Sequence, residues 1–319
     1  MSAERRCLVW IEWPEKCFRA DAEALRFLAE VAPRGTEIVR VRSERAFLRE
    51  LPRATHAITW SFRSGWFADA ARLRVLATPA AGRELLPENA PAGVRVHFGA
   101  FHGPIIAETV LAFMFAWKRG FFALARNPLC AGKAWPRTEL SGMCSLVAGT
   151  SAVIAGFGNV GRATGRLLEA CGGRVVGITR HGAFEGSGGT EPIADGELDR
   201  RLAQADWLVL ALPSTTGTDG YLGAALLRKL PRKCVVVNVG RGNAVDEKAL
   251  YDALASRRIA GAYLDVRRHE PTAAALEVPG WVPELAELPN CIVSPHSSAF
   301  DRGYLKACFA ELAREGLLA

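Results

Sequence analysis

The stretch AVIAGFGNVG, residues 152–161, decides the fold. It begins as an apolar run and carries three glycines, Gly156, Gly158 and Gly161, in the spacing G-x-G-x-x-G. The spacing alone is a weak signal. Here it follows a strand-like run and opens RATGRLLEACGG, residues 162–173, which reads as a helix. Strand, glycine turn and helix together are the context in which the pattern has physical meaning. Gly156 permits a tight turn, Gly158 lets a pyrophosphate approach the backbone, and Gly161 lets the helix pack closely on the strand. The helix N-terminus then offers N–H groups to the anion. Gly156, Phe157, Gly158, Asn159, Val160 and Gly161 are therefore the expected turn of a dinucleotide site. The plainer alternative is an incidental glycine-rich turn.

Working outward, apolar runs recur at WLVLALP (207–213), CVVVNVG (234–240), IAGAYLDV (259–266) and CIVSP (291–295). They show little alternation, as expected for parallel strands covered on both faces. Before the glycine turn lie further strand candidates, CLVWIEW (7–13), EIVRV (37–41), HAITW (56–60), RVLATP (74–79) and RVHFGA (95–100). Between the first two, DAEALRFLAEVA places Leu25, Phe27, Leu28 and Val31 on one helical side. Strands alternating with helices predict an α/β fold. A first unit ends near residue 103, and Pro104 opens a helix to about residue 120. The breaker-rich segment after it reads as a loop, and the C-terminal LKACFAELAREGLLA as an amphipathic helix.

A chain of 319 residues, half of them hydrophobic, has room for two cored domains. Its formal net charge is +7, but Lys and Arg are interrupted by Asp and Glu, and no basic stripe interleaved with aromatics points to nucleic acid. The eight cysteines, at 7, 17, 130, 144, 171, 234, 291 and 308, form no C-x-x-C pair and read as free thiols in a reducing compartment. The opening MSAERRCLVWIEWPEK has too short an apolar core for a secretory signal. PIIAETVLAFMFAWKRG (104–120) contains Glu108 and falls short of a membrane span. A cytoplasmic protein without membrane contact is the expectation.

The strand after the glycine turn selects the cofactor. An NAD site presents an acid to the ribose near the end of that strand. Thr179 stands there instead, in VVGITRH, followed by Arg180 and His181. A carboxylate would repel a 2′-phosphate, whereas arginine offers it a planar, permanently charged fork. Thr179 and Arg180 are thus expected to contact the 2′-phosphate of NADP(H), the preferred cofactor, with NAD(H) possible and a plain surface arginine as the alternative.

The later strand candidates end in polar groups: Arg241 after CVVVNVG, Asp265 and then Glu270 in LDVRRHEP, and His296 in SPHSS. In an open α/β sheet, ligands lie beyond the carboxyl ends of the strands, so residues distant in sequence can meet there. Arg241 can bind a carboxylate by two parallel hydrogen bonds and polarise a carbonyl. His296 can donate a proton to an oxygen, and Glu270 can hold its other ring nitrogen. Asp265 can add charge or orient the loop. Singly, each has a structural reading: surface arginine, packed histidine, turn cap, solvated acid. A metal site is less attractive, since neither H-E-x-x-H nor a compact Cys/His set occurs.

GFGNVG, LPSTTGTDG, NVGRG, LDVRRHEP and SPHSS, in this order over nearly the whole length, resemble the D-isomer-specific 2-hydroxyacid dehydrogenase family. The resemblance implies two Rossmann-like domains closing as a clamp. A nucleotide-binding domain, residues 104–289, would be inserted into a flavodoxin-like substrate domain, residues 1–103 plus 290–319. It implies Arg241, Glu270, His296 and Asp265 as the catalytic set, with Arg241 also binding substrate. It implies backbone N–H groups of Ala80, Ala81 and Gly82, in ATPAAGRE, as a carboxylate cradle. Leu212, Pro213, Thr218, Val239, Gly240, Asp265 and His296 join the cofactor-binding set on the same ground. It further implies a homodimer through the nucleotide-binding domain, using the helix at 104–120. Three features depart from the family pattern: Arg267 follows Asp265-Val266, Ala211 precedes Leu212 where histidine is frequent, and the Ala80 loop lacks an Asp-rich end. Arg267 is expected to face solvent, with an extra anionic group of the substrate as the alternative. The function so implied is NADP-dependent reduction of a small 2-keto acid, such as glyoxylate or hydroxypyruvate, to a D-2-hydroxy acid. The alternatives are a related dehydrogenase using another keto acid or NAD, and a nucleotide-sensing, corepressor-like binding protein.

Overall fold

The short β-branched runs of the first hundred residues pair into one parallel sheet. Its strands are β1 (Arg6–Trp10), β2 (Glu37–Arg40), β3 (His56–Thr59), β4 (Val75–Thr78) and β5 (Arg95–Phe98), in the order β2-β1-β3-β4-β5. That is the order of flavodoxin-like sheets. The computed structural model describes residues 5–87, 89–126, 137–194, 196–270 and 284–319; Cys130 lies outside them. The chain divides into two units, Met1–His102 with Ala299–Ala319, and Gly103–Ser298.

In the first unit the helix Ala22–Val31 starts on Asp21, whose carboxylate accepts from the Ala24 N–H at 2.8 Å, a side-chain cap on an otherwise unpaired donor. Its fully buried residues are Ala24 and Leu28, so the buried side is narrower than the expected set of Leu25, Phe27, Leu28 and Val31. The C-terminal helix Tyr304–Arg314 packs beside it. Buried Glu311 on that helix accepts from the Ala100 N–H at 3.0 Å and pairs with His97 at 3.3 Å, tying the helix to the end of β5.

The second unit holds β6 (Ser151–Ala155), β7 (Arg174–Thr179), β8 (Gly182–Glu185), β9 (Glu191–Pro192), β10 (Trp207–Leu210), β11 (Val235–Asn238), β12 (Gly261–Leu264) and β13 (Cys291–Val293). They form one sheet in the order β13-β12-β11-β10-β6-β7-β8-β9, parallel except for β8 and β9 at one edge. The order reverses at β6, so the crevice for a ligand opens beside its carboxyl end. Successive side chains of the central strands bury on opposite faces. Val153, Leu208 and Val236 enter one core, while Ile154, Trp207 and Val237 enter the other. Both faces are therefore apolar, which is why the sequence runs do not alternate.

Three features differ from the sequence reading. The strand Cys291–Val293 pairs with β12, so it and the following loop stay in the second unit, and the chain changes units at 299 instead of 290. GAFE, residues 182–185, to which the sequence reading assigned no element, pairs antiparallel with β7. RTELSGM, Arg137–Met143, is helical within the segment expected to be loop. Both are short elements whose conformation is decided by neighbours instead of by propensity.

The glycine turn is shaped by backbone contact. Gly156 has φ +90°, and a Cβ there would stand 2.4 Å from the Ala211 carbonyl oxygen after β10. A Cβ on Gly161 would stand 2.4 Å from the Gly156 carbonyl oxygen. One on Gly158 would meet nothing within 4 Å. Gly156→Ala is therefore expected to lower stability by about 1–3 kcal/mol through backbone strain and overpacking. Gly158→Ala should change it by less than about 0.5 kcal/mol. Urea midpoints at unchanged slope check both.

Candidate active site

The loops after β6, β7, β10, β11, β12 and β13 share one edge of the second unit's sheet, because their strands are parallel. Closest to the switch point is the glycine turn. The helix Asn159–Ala170 begins there with Gly158 as its N-cap, with no side-chain cap and no acidic residue in its first turn. Room for a Cβ at Gly158 and an uncapped, acid-free helix start both suit a pyrophosphate. Phe157 is different. Its ring is buried over Gly177, where a Cβ would stand 2.3 Å from it, and its N–H donates to the Ile178 carbonyl at 3.0 Å. Phe157 thus anchors the turn on β7.

Thr179 ends β7 and faces Gly182 across a two-residue turn made by Arg180 and His181. The Thr179 hydroxyl accepts from the His181 N–H at 3.1 Å and donates to the Gly182 carbonyl at 3.2 Å, leaving the Arg180 side chain exposed at the turn. After β10, Thr218 donates to the Pro213 carbonyl at 2.6 Å and accepts from the Thr215 N–H at 3.0 Å, closing the loop that starts at Leu212. After β11, a Cβ on Gly240 would stand 2.5 Å from the Leu212 nitrogen, so this loop also runs backbone against backbone, with Val239 buried beneath it. Arg241 follows, half-buried, donating to the Gly240 carbonyl at 3.0 Å.

A histidine–carboxylate pair is formed after β12 and β13. His296 Nδ1 and Glu270 Oε2 are 2.9 Å apart. The His296 Nε2 has no hydrogen-bond partner among the described residues, and half of the side chain is exposed. The Glu270 hydrogen bond raises the histidine pKa above its ordinary 6.5. Glu270's charge and that of Asp265 add to this, against burial and the charge of Arg241. Burial resists ionisation of Glu270, but the bond and charge of His296, the Arg267 N–H and the charge of Arg241 outweigh it and lower its pKa. Both directions favour the charged pair.

Asp265 does not reach out of the sheet edge. It is buried and accepts from the Ser294 hydroxyl at 2.6 Å and from the N–H groups of Ser297 at 2.8 Å and Ser298 at 3.0 Å. Its own carbonyl accepts from the His296 N–H at 2.9 Å. The carboxylate therefore holds the histidine loop, in which His296 stands at φ +53°, a left-handed conformation uncommon outside glycine. Of the two roles open to Asp265, orientation of the loop is the one its contacts serve.

Arg267 corrects an expectation. It is not solvent-facing: its side chain is 2% exposed and forks onto Glu247, Nε to Oε1 at 2.8 Å and Nη2 to Oε2 at 2.9 Å. One of two adjacent arginines in a polar run carries no sign of burial, and Glu247 lies 20 residues away. Ser294 and Tyr263, whose hydroxyl donates to that of Ser294 at 2.8 Å while Ser294 donates to Asp265, were also missed. The doubled serines around His296 were the only hint of that network. Among the described residues, no group of three His, Cys, Asp or Glu side chains could hold a metal.

Ala80, Ala81 and Gly82 lie in the first unit, beyond the carboxyl end of β4. The Ala80 N–H already donates to the Thr78 hydroxyl at 3.2 Å, and the Ala80 carbonyl accepts from Gly99. His102 is buried in the same unit at 2.9 Å from the Tyr304 hydroxyl.

Residues 111–298, more than half of the chain, match the family described as "D-isomer specific 2-hydroxyacid dehydrogenase, NAD binding domain". A glyoxylate reductase of Korarchaeum cryptofilum is 30% identical over 79% of this chain and 74% of its own length. A glycerate dehydrogenase of Methylorubrum extorquens is 30% identical over 70% of this chain and 68% of its own. Among solved structures, an NADPH-dependent glyoxylate/hydroxypyruvate reductase from Sinorhizobium meliloti, in complex with NADP and sulfate, aligns with a TM-score of 0.74 at 25% identity. The alignment covers 98% of this chain and 94% of that one. With the glycine turn at a sheet switch point and a histidine–carboxylate pair on the same edge, the chain belongs to the D-isomer specific 2-hydroxyacid dehydrogenase family and is an NAD(P)-dependent oxidoreductase.

Proposed function

We propose that the protein reduces a small 2-keto acid of the glyoxylate or hydroxypyruvate kind to the D-2-hydroxy acid, with NADPH as the preferred dinucleotide. The observation that carries this reading is the 2.9 Å contact between His296 and Glu270 on the sheet edge that bears the glycine turn. The names of the relatives support the substrate size, and exposed Arg180 in place of a ribose-binding acid supports the cofactor preference.

When bound, the dinucleotide supplies the hydride. The turn Gly156–Gly161 would hold its pyrophosphate, and Thr179 and Arg180 its 2′-phosphate. Arg241 takes the substrate carboxylate and draws electron density toward the carbonyl oxygen. His296 gives that oxygen the proton on Nε2 as the carbonyl π pair moves onto it. Glu270 keeps the ring protonated and turned with Nδ1 inward. Seven free thiols among the described residues fit the reading of a cytoplasmic protein, and none of the described helices is long and apolar enough to cross a membrane. A homodimer through the second unit is part of the same reading, supported by the exposed side chains of Phe115 and Phe121.

The first test is dinucleotide oxidation with a panel of 2-keto acids, run with NADPH and with NADH; equal efficiency with both would remove the cofactor preference. Arg180→Ala is expected to weaken NADPH use about tenfold or more while sparing NADH, the loss of one or two charged hydrogen bonds. His296→Ala should lower turnover by about 10²–10⁴-fold with dinucleotide binding retained. Arg241→Ala should raise KM and lower kcat together, since it acts on both carboxylate and carbonyl, and unchanged steady-state values would dismiss that role. Reduction needs the protonated ring, whose pKa is raised. The rate should therefore fall as pH climbs past that raised value, at a higher pH than an ordinary histidine with a pKa of 6.5 would give. The reverse oxidation should rise over the same window.

A further inference from the structure

If His296 donates the proton, Glu270 must be held, yet Glu270 lies on a loop beyond β12. Its two oxygens have separate duties: Oε2 meets His296 Nδ1, and Oε1 accepts the backbone N–H of Arg267 at 3.2 Å. The position of Arg267 therefore sets the position of the carboxylate.

Arg267 is itself fixed at several points. Its guanidinium makes two parallel bonds to Glu247, whose side chain is only 8% exposed. Glu247 opens the helix Glu247–Ala255, just after the Asp246 cap, so it stands on a rigid element. Glu247 Oε1 also accepts the Arg268 N–H at 3.0 Å. The Arg268 side chain reaches Asp219 and the Asn243 carbonyl, each at 3.0 Å. From the other side, Gly242 lies so close that a Cβ there would be 1.9 Å from the Arg267 carbonyl carbon. Glu247 and Arg267 thus join the loops after β11 and β12.

We propose that Arg267, forked onto Glu247, is a positioning residue that holds Glu270 in register with His296. The proposal rests on the reading of His296 and Glu270 as the proton-donating pair. A buried ion pair is a poor source of net stability, because desolvation consumes most of the Coulomb gain. What a bidentate pair supplies is direction: the planar fork fits a carboxylate in one orientation. A lysine keeps the charge but loses the fork, and an apolar side chain could fill the space without fixing an angle.

The test compares R267K, R267M and E270Q, alone and as R267M/E270Q, in 2-keto acid reduction across pH. The groups acting on His296 are Glu270, Asp265 and Arg241, all retained in the Arg267 variants. R267M is expected to lower kcat about tenfold, the usual size for an outer partner that orients a functional side chain. It should also move the high-pH decline downward by about one unit as Glu270 loses its hold on the imidazolium. R267K should fall between R267M and the parent, and NADPH affinity should stay within about twofold in every variant, since the loss is in chemistry and not binding. In the E270Q background, R267M should shift the decline no further, because its effect runs through Glu270.

An unmoved pH decline in R267M and R267K overturns the proposal, and so does a shift of equal size with and without Glu270. If R267M does not fold, R267K and E247Q carry the same comparisons. A high-pH decline moved downward in E270Q together with an unmoved R267K sinks the positioning role alone. An E270Q enzyme with parental turnover and pH profile sinks the proton-donor reading and this proposal with it.

Discussion

Backbone-to-backbone contact between neighbouring loops is the constraint on which the sheet edge depends. Gly156 presses on the Ala211 carbonyl, Gly240 on the Leu212 nitrogen and Gly242 on the Arg267 carbonyl. At each place a single methyl group would collide with main chain, which cannot step aside as a side chain can. The loops after β6, β10, β11 and β12 are thereby locked in sequence across the edge. Asp265 extends the lock to β13 by hydrogen bonds in place of contact.

This lock explains how loops, usually the mobile part of a fold, can support chemistry that requires fixed angles. His296 occupies a left-handed conformation that costs free energy in isolation. It is retained because its N–H is taken by the Asp265 carbonyl and the following N–H groups by the Asp265 carboxylate. The ring is then set by Glu270, and Glu270 by the Arg267 N–H. The exposed end of this series is the imidazole; each step inward is more buried and less able to move.

Electrostatics follow the same gradient. At the exposed end, Glu270 and His296 each favour the other's charged form, while the charge of Arg241 favours the carboxylate and opposes the imidazolium. At the buried end, Arg267 and Glu247 neutralise one another in a fork that leaves little room for alternative geometry. Charge near the surface can serve proton transfer because it can still respond to pH. Charge in the interior serves shape, since an unpaired ion there would be costly.

The glycine turn, the parallel sheet and the order of Arg241, Asp265, Glu270 and His296 were legible in the sequence, because each depends on local pattern: unrelieved apolar runs, glycines at fixed spacing, polar residues directly after strands. Three matters were decided only by tertiary structure. The strand β8 forms because β7 is there to pair with, not because GAFE prefers extension. Asp265 turns inward because the Ser297 and Ser298 N–H groups converge on it, whereas the sequence left open whether it adds charge or orients the loop. Arg267 is buried because Glu247, 20 residues earlier, arrives with a carboxylate in matching orientation. Sequence alone determined which chemical groups the strands deliver to the edge. Which of them stay exposed at that edge, and which turn inward to hold the others, was decided by partners that only the packed loops bring within hydrogen-bond reach.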